Sequence, residues 1–285
     1  MSRSGPIDLH THSSVSDGTE TPTELMRAAV DAGLDTVAIT DHDSTAGWQE
    51  AFAAVSGTGV RVVPGMELST NLGAASVHML AYLFDPGNAA IVSETARIRA
   101  GRLRRAELIV ERIGADYGIT WEDVLAQSTD GGTIGRPHIA DALVVRGLVA
   151  NRSAAFETIL HWQSNYYEKY YAPSPLEGVR MIVRAGGVPV LAHPATRGRY
   201  RVIAEGAIAE LVDAGLFGLE IHHRDNTADG KERLFELAER YGLVVTGSSD
   251  YHGEGKANRL AENTTTHETL ERIIAAGTGS APYLS

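Results

Sequence analysis

Histidine and carboxylate side chains follow the short apolar runs of this 285-residue chain. His10 and His12 form a His-x-His pair directly after the first run, and the alternation of side chains along a strand would place both on one face. Two imidazoles on one face can bind the same metal ion. One such pair is weak evidence, because histidines at this spacing also occur by chance, so the prediction depends on the other runs.

Most of the later runs also bring metal-binding side chains near their ends. The candidate ligands, in chain order, are His10, His12, Asp17, His42, Glu67, His78, His193, Asp250 and His252. Catalytic zinc takes only about three protein ligands, so this number of candidates predicts two or three divalent ions. Nitrogen and oxygen ligands without sulfur suit Mn, Fe or Zn. A carboxylate such as Glu67 could bridge two ions about 3.5–4 Å apart.

Seven short apolar runs alternate with helical patterns and would have to position these ligands. They span residues 7–10, 36–40, 60–64, 77–84, 188–192, 217–222 and 243–247. Several lack polar alternation, which is typical of parallel strands that are buried on both faces. The pattern predicts an α/β fold, either a parallel β/α barrel or an open doubly wound sheet, with the ligands at or near the carboxyl ends of the strands.

The alternation stops between residues 98 and 171, where helical patterns follow one another without a convincing strand. We interpret this segment as a helical insertion subdomain, or lid, and expect residues 1–97 and 172–285 to form the barrel. The arginine run from Arg97 to Arg105 is interpreted as a solvated helix face.

Composition excludes several classes of protein. The chain has no cysteine, which rules out disulfides, thiolate metal sites and a cysteine nucleophile. Its net charge of −11 argues against a stable complex with nucleic acid, which needs a basic face. No apolar run reaches the roughly 18 residues of a membrane span, and the first residues lack the apolar core of a signal peptide. We therefore expect a cytoplasmic protein without a membrane partner.

Taken in order, several motifs resemble those of the PHP (polymerase and histidinol phosphatase) family of metal-dependent phosphoesterases. They are HTHSSVSDG, TDHDS, GMELS, the strand that holds His78, AHP and SDYHG, and they cover about residues 7–83 and 173–265. The resemblance implies a distorted seven-stranded β/α barrel with a trinuclear metal centre, and hydrolysis of phosphoesters by a water that the metal ions activate.

The resemblance also divides the candidate ligands among three ions. It assigns a first ligand set to His10, His12, Glu67 and Asp250. A second ligand set comprises the shared Glu67 with His78 and His193. A third ligand set comprises Asp17, His42 and His252.

Within the family the chain is most similar to a stand-alone bacterial branch that includes the 3′,5′-nucleoside bisphosphate phosphatases. This similarity implies a small phosphomonoester, such as a nucleotide, as substrate. It draws attention to GRPHIADAL in the insertion, to AHPATRGRY after the fifth run and to GLEIHHRDN around the sixth. We expect substrate contacts from Arg136, His138, Arg197, Arg199 and His223, and assistance to catalysis from His193 or His222.

Three other functions remain as alternatives. An exonuclease or oligonucleotide-end phosphoesterase of the same family would use the same ligands. An amidohydrolase-type hydrolase also has a His-x-His pair and a late aspartate, but it would not account for Asp17, Glu67 and His252 together. A non-catalytic module that retains only the fold would be expected to have lost ligands.

Overall fold

The computed structural model describes residues 5–73, 75–129, 132–196 and 204–284. Within these ranges the chain forms seven strands and ten helices. The strands are β1 (Ile7–Thr11), β2 (Thr36–Ile39), β3 (Arg61–Leu72), β4 (Ala75–Tyr82), β5 (Val188–Leu191), β6 (Gly218–His222) and β7 (Val244–Gly247). The helices are α1 (Pro22–Asp31), α2 (Trp48–Thr58), α3 (Ala89–Tyr117), α4 (Trp121–Leu125), α5 (Arg136–Val145), α6 (Arg152–Glu157), α7 (Pro175–Arg184), α8 (Glu205–Asp213), α9 (Ala228–Tyr241) and α10 (His267–Ala276).

The strands form one sheet in chain order from β1 to β7, which curls into a nearly closed barrel. Neighbouring strands are parallel except around β4, which runs antiparallel to both β3 and β5. The two edges meet just beyond β1 and β7, where the N–H of His12 donates to the carbonyl of Tyr251 at 2.8 Å. This architecture confirms the predicted distorted β/α barrel and excludes the open doubly wound sheet.

Local signals explain where the helices begin. Thr21 caps α1 by accepting a hydrogen bond from the N–H of Glu24, whose carboxylate accepts in turn from the N–H of Thr21, and Pro22 occupies the first turn. Ser174 and Glu177 form the same capping box at α7. Among the described residues, no helix is both long and apolar enough to cross a membrane.

Apolar side chains cover both faces of the sheet. The outer face packs Val37, Val62 and Leu68 against the surrounding helices. The inside of the barrel is filled by a second cluster that includes Leu9 and Leu80. Burial on both faces explains why the strand sequences lack polar alternation. The predicted ligands lie at the mouth of the barrel, beyond this apolar filling.

The hairpin of β3 and β4 differs from the expected arrangement. The third run, predicted to end at residue 64, continues as a strand to Leu72, and the chain then reverses at Gly73, which has a φ of +63°. Glu67 and His78 therefore lie within strands rather than at carboxyl ends. Their hairpin still brings them to the barrel mouth, because β4 runs in the opposite direction to its neighbours.

Helix α3 links the barrel to the segment interpreted as an insertion. Its first half packs Ile91 and Ile98 into the barrel core, whereas Ile109 and Ile113 join Ile139 of α5 in a separate apolar cluster. The described residues between 98 and 171 contain no strand. The exact limits of the insertion stay a prediction, because its expected first residue, Ile98, lies within α3 and not at the end of an element.

Candidate active site

Side chains of the first ligand set meet at the barrel mouth. The Nε2 atoms of His10 and His12 are 3.0 Å apart. Oε2 of Glu67 lies 3.4 Å from the former and 3.2 Å from the latter. Oδ1 of Asp250 lies 3.4 Å and 3.3 Å from the same two nitrogens. All four residues are buried, so two imidazoles and two carboxylates converge on one point that solvent barely reaches.

Glu67 directs its two carboxylate oxygens to different ligand sets. Oε2 faces the first set, whereas Oε1 lies 2.8 Å from Nδ1 of His78 and 3.2 Å from Nε2 of His193. One carboxylate that serves two groups of ligands has the arrangement of a metal bridge.

The third ligand set lies on the other side of His12. Oδ1 of Asp17 is 3.3 Å from Nε2 of His252, and Oδ2 is 3.7 Å from Nε2 of His42. These three ligands come from loops after β1, β2 and β7 rather than from the strands themselves. The structure thus brings all nine predicted ligands together.

The chemistry of the cluster fits divalent cations. Buried carboxylates and imidazoles are costly without partners, and a bound cation offsets that cost. Nδ1 of His42 and Nε2 of His252 are buried, and neither atom has a hydrogen-bond partner among the described residues. Nitrogens with a free lone pair at the edge of a carboxylate cluster are suited to bind a metal ion. Of the groupings that could hold a metal, one is the first predicted set and one contains the third together with His12. The second set is matched only in part, because Glu67 and His78 group with His42, whereas His193 groups with His10 and Glu220.

The carboxylates of the cluster are held in the charged form. Burial alone would raise the pKa of Glu67, but the neighbouring His78, His42 and His10 lower that pKa well below its usual range. Burial would also raise the pKa of Asp17, but His252 and His42 lower the pKa of this carboxyl well below its usual range. Charged carboxylates are the form that a cation binds.

Two of the predicted ligands have a strained backbone. His193, with a φ of +30°, and Asp250, with a φ of +54°, adopt conformations that non-glycine residues rarely take. Such conformations cost on the order of 1–3 kcal/mol each and persist only where the surroundings enforce them. The surroundings of His193 include Glu220, whose Oε2 accepts a hydrogen bond from the N–H of His193 at 2.8 Å.

Glu220 is a site residue that the sequence analysis missed. It is fully buried on β6, and its Oε1 lies 3.0 Å from Nδ1 of His10 and accepts a hydrogen bond from Oγ of Ser248 at 2.7 Å. Burial opposes its charge, but the adjacent His10 lowers the pKa of Glu220 to about 2. The available signal was a lone acid within the apolar strand sequence GLEI.

We expect Glu220→Gln to weaken metal binding at the first ligand set by about 10–100-fold, the usual effect of losing a partner that orients a ligating histidine. Glutamine has one acceptor oxygen, so it cannot accept from both Nδ1 of His10 and the N–H of His193. Chelator competition with Mn²⁺ measures the change. Glu232→Gln, an exposed position on α9, is the matched control. Unchanged affinity in Glu220→Gln would reject this orienting role.

Two further buried aspartates support the ligand loops. Asp41 accepts hydrogen bonds from the N–H of Ser13 at 2.8 Å and from Oγ of Ser16 at 2.6 Å, and so holds the loop that carries Asp17. Asp43 accepts a hydrogen bond from the N–H of Ser69 at 2.7 Å and pairs with Nε of Arg102 at 2.9 Å.

A cavity of about 200 Å³ lies between the cluster and the helices that follow β4. Its wall joins Asp17, His42 and His78 of the cluster to side chains from residues 98–171. The latter include three arginines and three aromatic residues, namely Arg102, Arg105, Arg136, Phe156, Tyr167 and Tyr170. A space with metal ligands on one side and guanidinium groups on the other suits a small anionic molecule.

The cavity corrects the interpretation of the arginine run. Arg102 and Arg105 are only 6% and 5% exposed, because this face of α3 packs over the barrel mouth. The guanidinium of Arg105 stacks on the ring of Tyr170 at 4.2 Å. Burial, together with the charges of Arg136 and Arg102, lowers the pKa of Arg105. Among the described residues, no carboxylate forms an ion pair with Arg105, so this side of the cavity carries excess positive charge.

The two histidines at the end of β6 have opposite placements. His223 is fully buried, with its ring centroid 5.0 Å from that of His193. His222 is exposed, and its ring packs against Phe235 of α9. The structure thus places His222 away from the ligand cluster, and no contact among the described residues supports the prediction that it assists catalysis. The register of β6 against β7 shifts between Glu220 and His222, and this irregularity turns His222 outward.

The other residues predicted to contact substrate lie in different parts of the molecule. Arg136 lines the cavity, where its guanidinium lies 5.2 Å from the ring centre of Phe156 and donates to the carbonyl of Leu160. His138 lines a separate groove, and its Nδ1 accepts a hydrogen bond from the N–H of Gly135. Arg197 and Arg199 lie outside the described residues. Contact of any of these side chains with substrate stays a prediction.

Comparison with known proteins extends these observations. A model of the PHP domain family matches residues 8–172. A 3′,5′-nucleoside bisphosphate phosphatase from Chromobacterium violaceum is 33% identical over 90% of this chain and 91% of its own length. A 5′-3′ exoribonuclease from Haemophilus influenzae is 31% identical over 86% of this chain and 89% of its own. The crystal structure of a protein assigned as a metal-dependent phosphoesterase from Bifidobacterium adolescentis matches with a TM-score of 0.93 and 45% identity, covering 95% of this chain and 96% of the other.

Proposed function

Because the chain belongs to the PHP domain family of metal-dependent phosphoesterases, we propose that it hydrolyses a small nucleotide that carries a second phosphate. The main observation behind this proposal is the cavity. It has the ligand cluster on one side and the buried Arg102 and Arg105 on the other, and among the described residues only Arg102 of these two pairs with a carboxylate. The similarity to a 3′,5′-nucleoside bisphosphate phosphatase supports the same substrate class.

The proposed metal centre uses the three ligand sets, with Glu67 shared between the first two. It holds two or three ions of Mn, Fe or Zn, which the mixture of imidazole and carboxylate ligands suits. When bound, such ions lower the pKa of a water molecule and neutralise charge on the phosphoryl oxygens. Of the two histidines expected to assist catalysis, His193 remains in this proposal, because its Nε2 lies at the cluster.

The residues of the chain itself bind and orient the substrate. Arg105 and Arg136 would hold the phosphate that is not cleaved, because guanidinium groups donate two parallel hydrogen bonds to phosphate oxygens. Tyr167 and Tyr170 form apolar parts of the wall. Arg102 and Arg105 are buried on the face of α3 that forms this part of the wall.

The second candidate function is exoribonuclease activity. The similarity to the Haemophilus influenzae enzyme supports it. The small volume of the cavity and the net charge of −11 favour a small substrate over a long polymer. A short oligonucleotide could still present its phosphorylated end.

We expect protein purified without chelator to contain two to three transition-metal ions per chain and to release phosphate from nucleoside 3′,5′-bisphosphates. Elemental analysis and a phosphate-release assay test this. The assay compares bisphosphates, mononucleotides, sugar phosphates, histidinol phosphate and short 5′-phosphorylated RNA. At most one ion after Mn²⁺ loading would contradict the multinuclear centre. Faster turnover of the RNA than of every small substrate would favour the exoribonuclease.

A further inference from the structure

Arg152, at the start of α6, reaches from the segment between β4 and β5 into the loops of the metal site. Its Nε and Nη2 donate to Oδ1 and Oδ2 of Asp141 on α5, both at 2.5 Å. Its Nη1 donates to the backbone carbonyl of Asp17 at 2.8 Å. The side chain is only 10% exposed. The bidentate pair therefore fixes the direction in which the guanidinium meets the Asp17 loop (residues 13–20).

The same guanidinium lies against the His252 loop (residues 251–255). A Cβ atom on Gly255 would lie 2.1 Å from Nη1 of Arg152, so the close approach requires glycine at that position. The two loops also bind each other, because Thr19 donates its N–H to the carbonyl of His252 at 3.2 Å and accepts from the N–H of Glu254 at 2.9 Å. Arg152 thus contacts both loops at the place where they join.

Other residues of the insertion tether the backbone close to the third ligand set. Thr133 donates its N–H to the carbonyl of Val15 at 2.9 Å and its Oγ1 to the carbonyl of His42 at 3.1 Å. Thr129 donates its Oγ1 to the carbonyl of Ser14 at 2.6 Å. By contrast, His10 and Glu67 of the first set lie within β1 and β3, where the ladders of the sheet fix the backbone.

We propose that Arg152 is a positioning residue for the third ligand set, which holds Asp17 and His252 in place and makes binding of the third ion depend on the insertion. This inference rests on the three-ion form of the proposed metal centre, in which each ligand set holds one ion. Ligands on loops need partners outside the metal site to keep their geometry, and such partners determine much of the affinity for the ion. The insertion is then a structural part of the metal centre as well as a wall of the cavity.

The test compares the metal affinities of Arg152→Ala, Arg152→Lys and the unsubstituted chain. Each protein is titrated with Mn²⁺ while free Mn²⁺ is followed by electron paramagnetic resonance, and bound ions are counted after dialysis. We expect Arg152→Ala to weaken one ion by about 10–100-fold and to leave the others unchanged. The affinity of Arg152→Lys for that ion should lie between those of Arg152→Ala and the unsubstituted chain, because an ammonium group cannot reproduce the planar fork of the guanidinium. Arg146→Ala, which breaks an exposed pair with Asp123 in the same segment, is the control.

The outcomes distinguish a failure of this inference from a failure of the three-ion metal centre. Fewer than three ions in the unsubstituted chain would contradict the three-ion centre. If the unsubstituted chain and Arg152→Ala both bind three ions with the same affinities, the positioning role of Arg152 is overturned. Equal weakening of every ion in Arg152→Lys would overturn it as well. If Arg152→Ala does not fold, Asp141→Asn removes the bidentate pair with less change in volume, and it must weaken one ion selectively.

Discussion

Glu67→Gln should lower kcat/KM by at least about 10²–10³ while the fold stays intact, and this is the largest single-residue effect we expect. The carboxylate directs one oxygen to His12 and the other to His78 and His193. An amide of the same shape replaces one oxygen with an NH₂ group, which cannot bind a cation. Steady-state kinetics at saturating Mn²⁺ measure the loss, and circular dichroism monitors the fold.

The control for this substitution is Glu236→Gln, an exposed glutamate on α9 that should retain full activity. Turnover close to that of the unsubstituted chain in Glu67→Gln, with the same number of ions bound, would reject the bridging role. Loss of ions together with loss of activity would support it, because the shared carboxylate serves two sets of ligands.

Arg105→Met should impair hydrolysis of a nucleoside bisphosphate by about 10–150-fold and change hydrolysis of p-nitrophenyl phosphate little. A charge-assisted hydrogen bond contributes roughly 1.5–3 kcal/mol, and the aryl substrate has no second phosphate for Arg105 to hold. The substitution should also raise the midpoint of thermal unfolding, because it replaces a buried guanidinium that lacks a carboxylate partner with an apolar side chain. Kinetics on both substrates and thermal denaturation provide the measurements.

Arg104→Met is the matched control, since Arg104 is the neighbour of Arg105 on α3 but is exposed. It should change neither substrate selectivity nor thermal stability. Equal losses on both substrates in Arg105→Met would place that guanidinium at the cleaved phosphate. A lower unfolding midpoint would show instead that Arg105 supports the packing of α3.

The ligand cluster and the alternation of strands and helices could be predicted because their signals are local, whereas the choice of a barrel over an open sheet came from the resemblance of the motifs to the PHP family. Each ligand lies within a few residues of an apolar run, and the ends of parallel strands necessarily meet at one edge of a sheet. The direction of β4 is not a local property, since the run from residue 77 to 84 has the same composition whichever way it lies. The connection between the third and fourth runs gave no clue either, because its twelve residues, 65–76, are long enough for a parallel crossover, and the tight turn at Gly73 is visible only in the structure.

The direction of side chains was the second property that could not be predicted from the sequence. Arg102 and Arg105 are three residues apart and therefore share one helix face, but which face of α3 meets the barrel depends on tertiary packing. Alternation from the inward Glu220 would have turned His222 inward, and the irregular register of β6 reverses this. Glu220 itself was overlooked because its partner His10 lies 210 residues away in the sequence.

The β3–β4 hairpin restricts how the gene can change in length. Glu67 pairs with Leu80 and Ser69 pairs with His78, so Glu67 and His78 share one face of the hairpin as diagonal neighbours. An added or deleted codon within either strand would turn one of these ligands to the opposite face. Codons added at Gly73 would leave both in place, yet they would alter the cavity wall, to which Asn71, Gly73 and Ser76 contribute. We therefore expect inherited length variation in this hairpin to be confined to its tip, where it can change the range of substrates without disturbing the metal ligands.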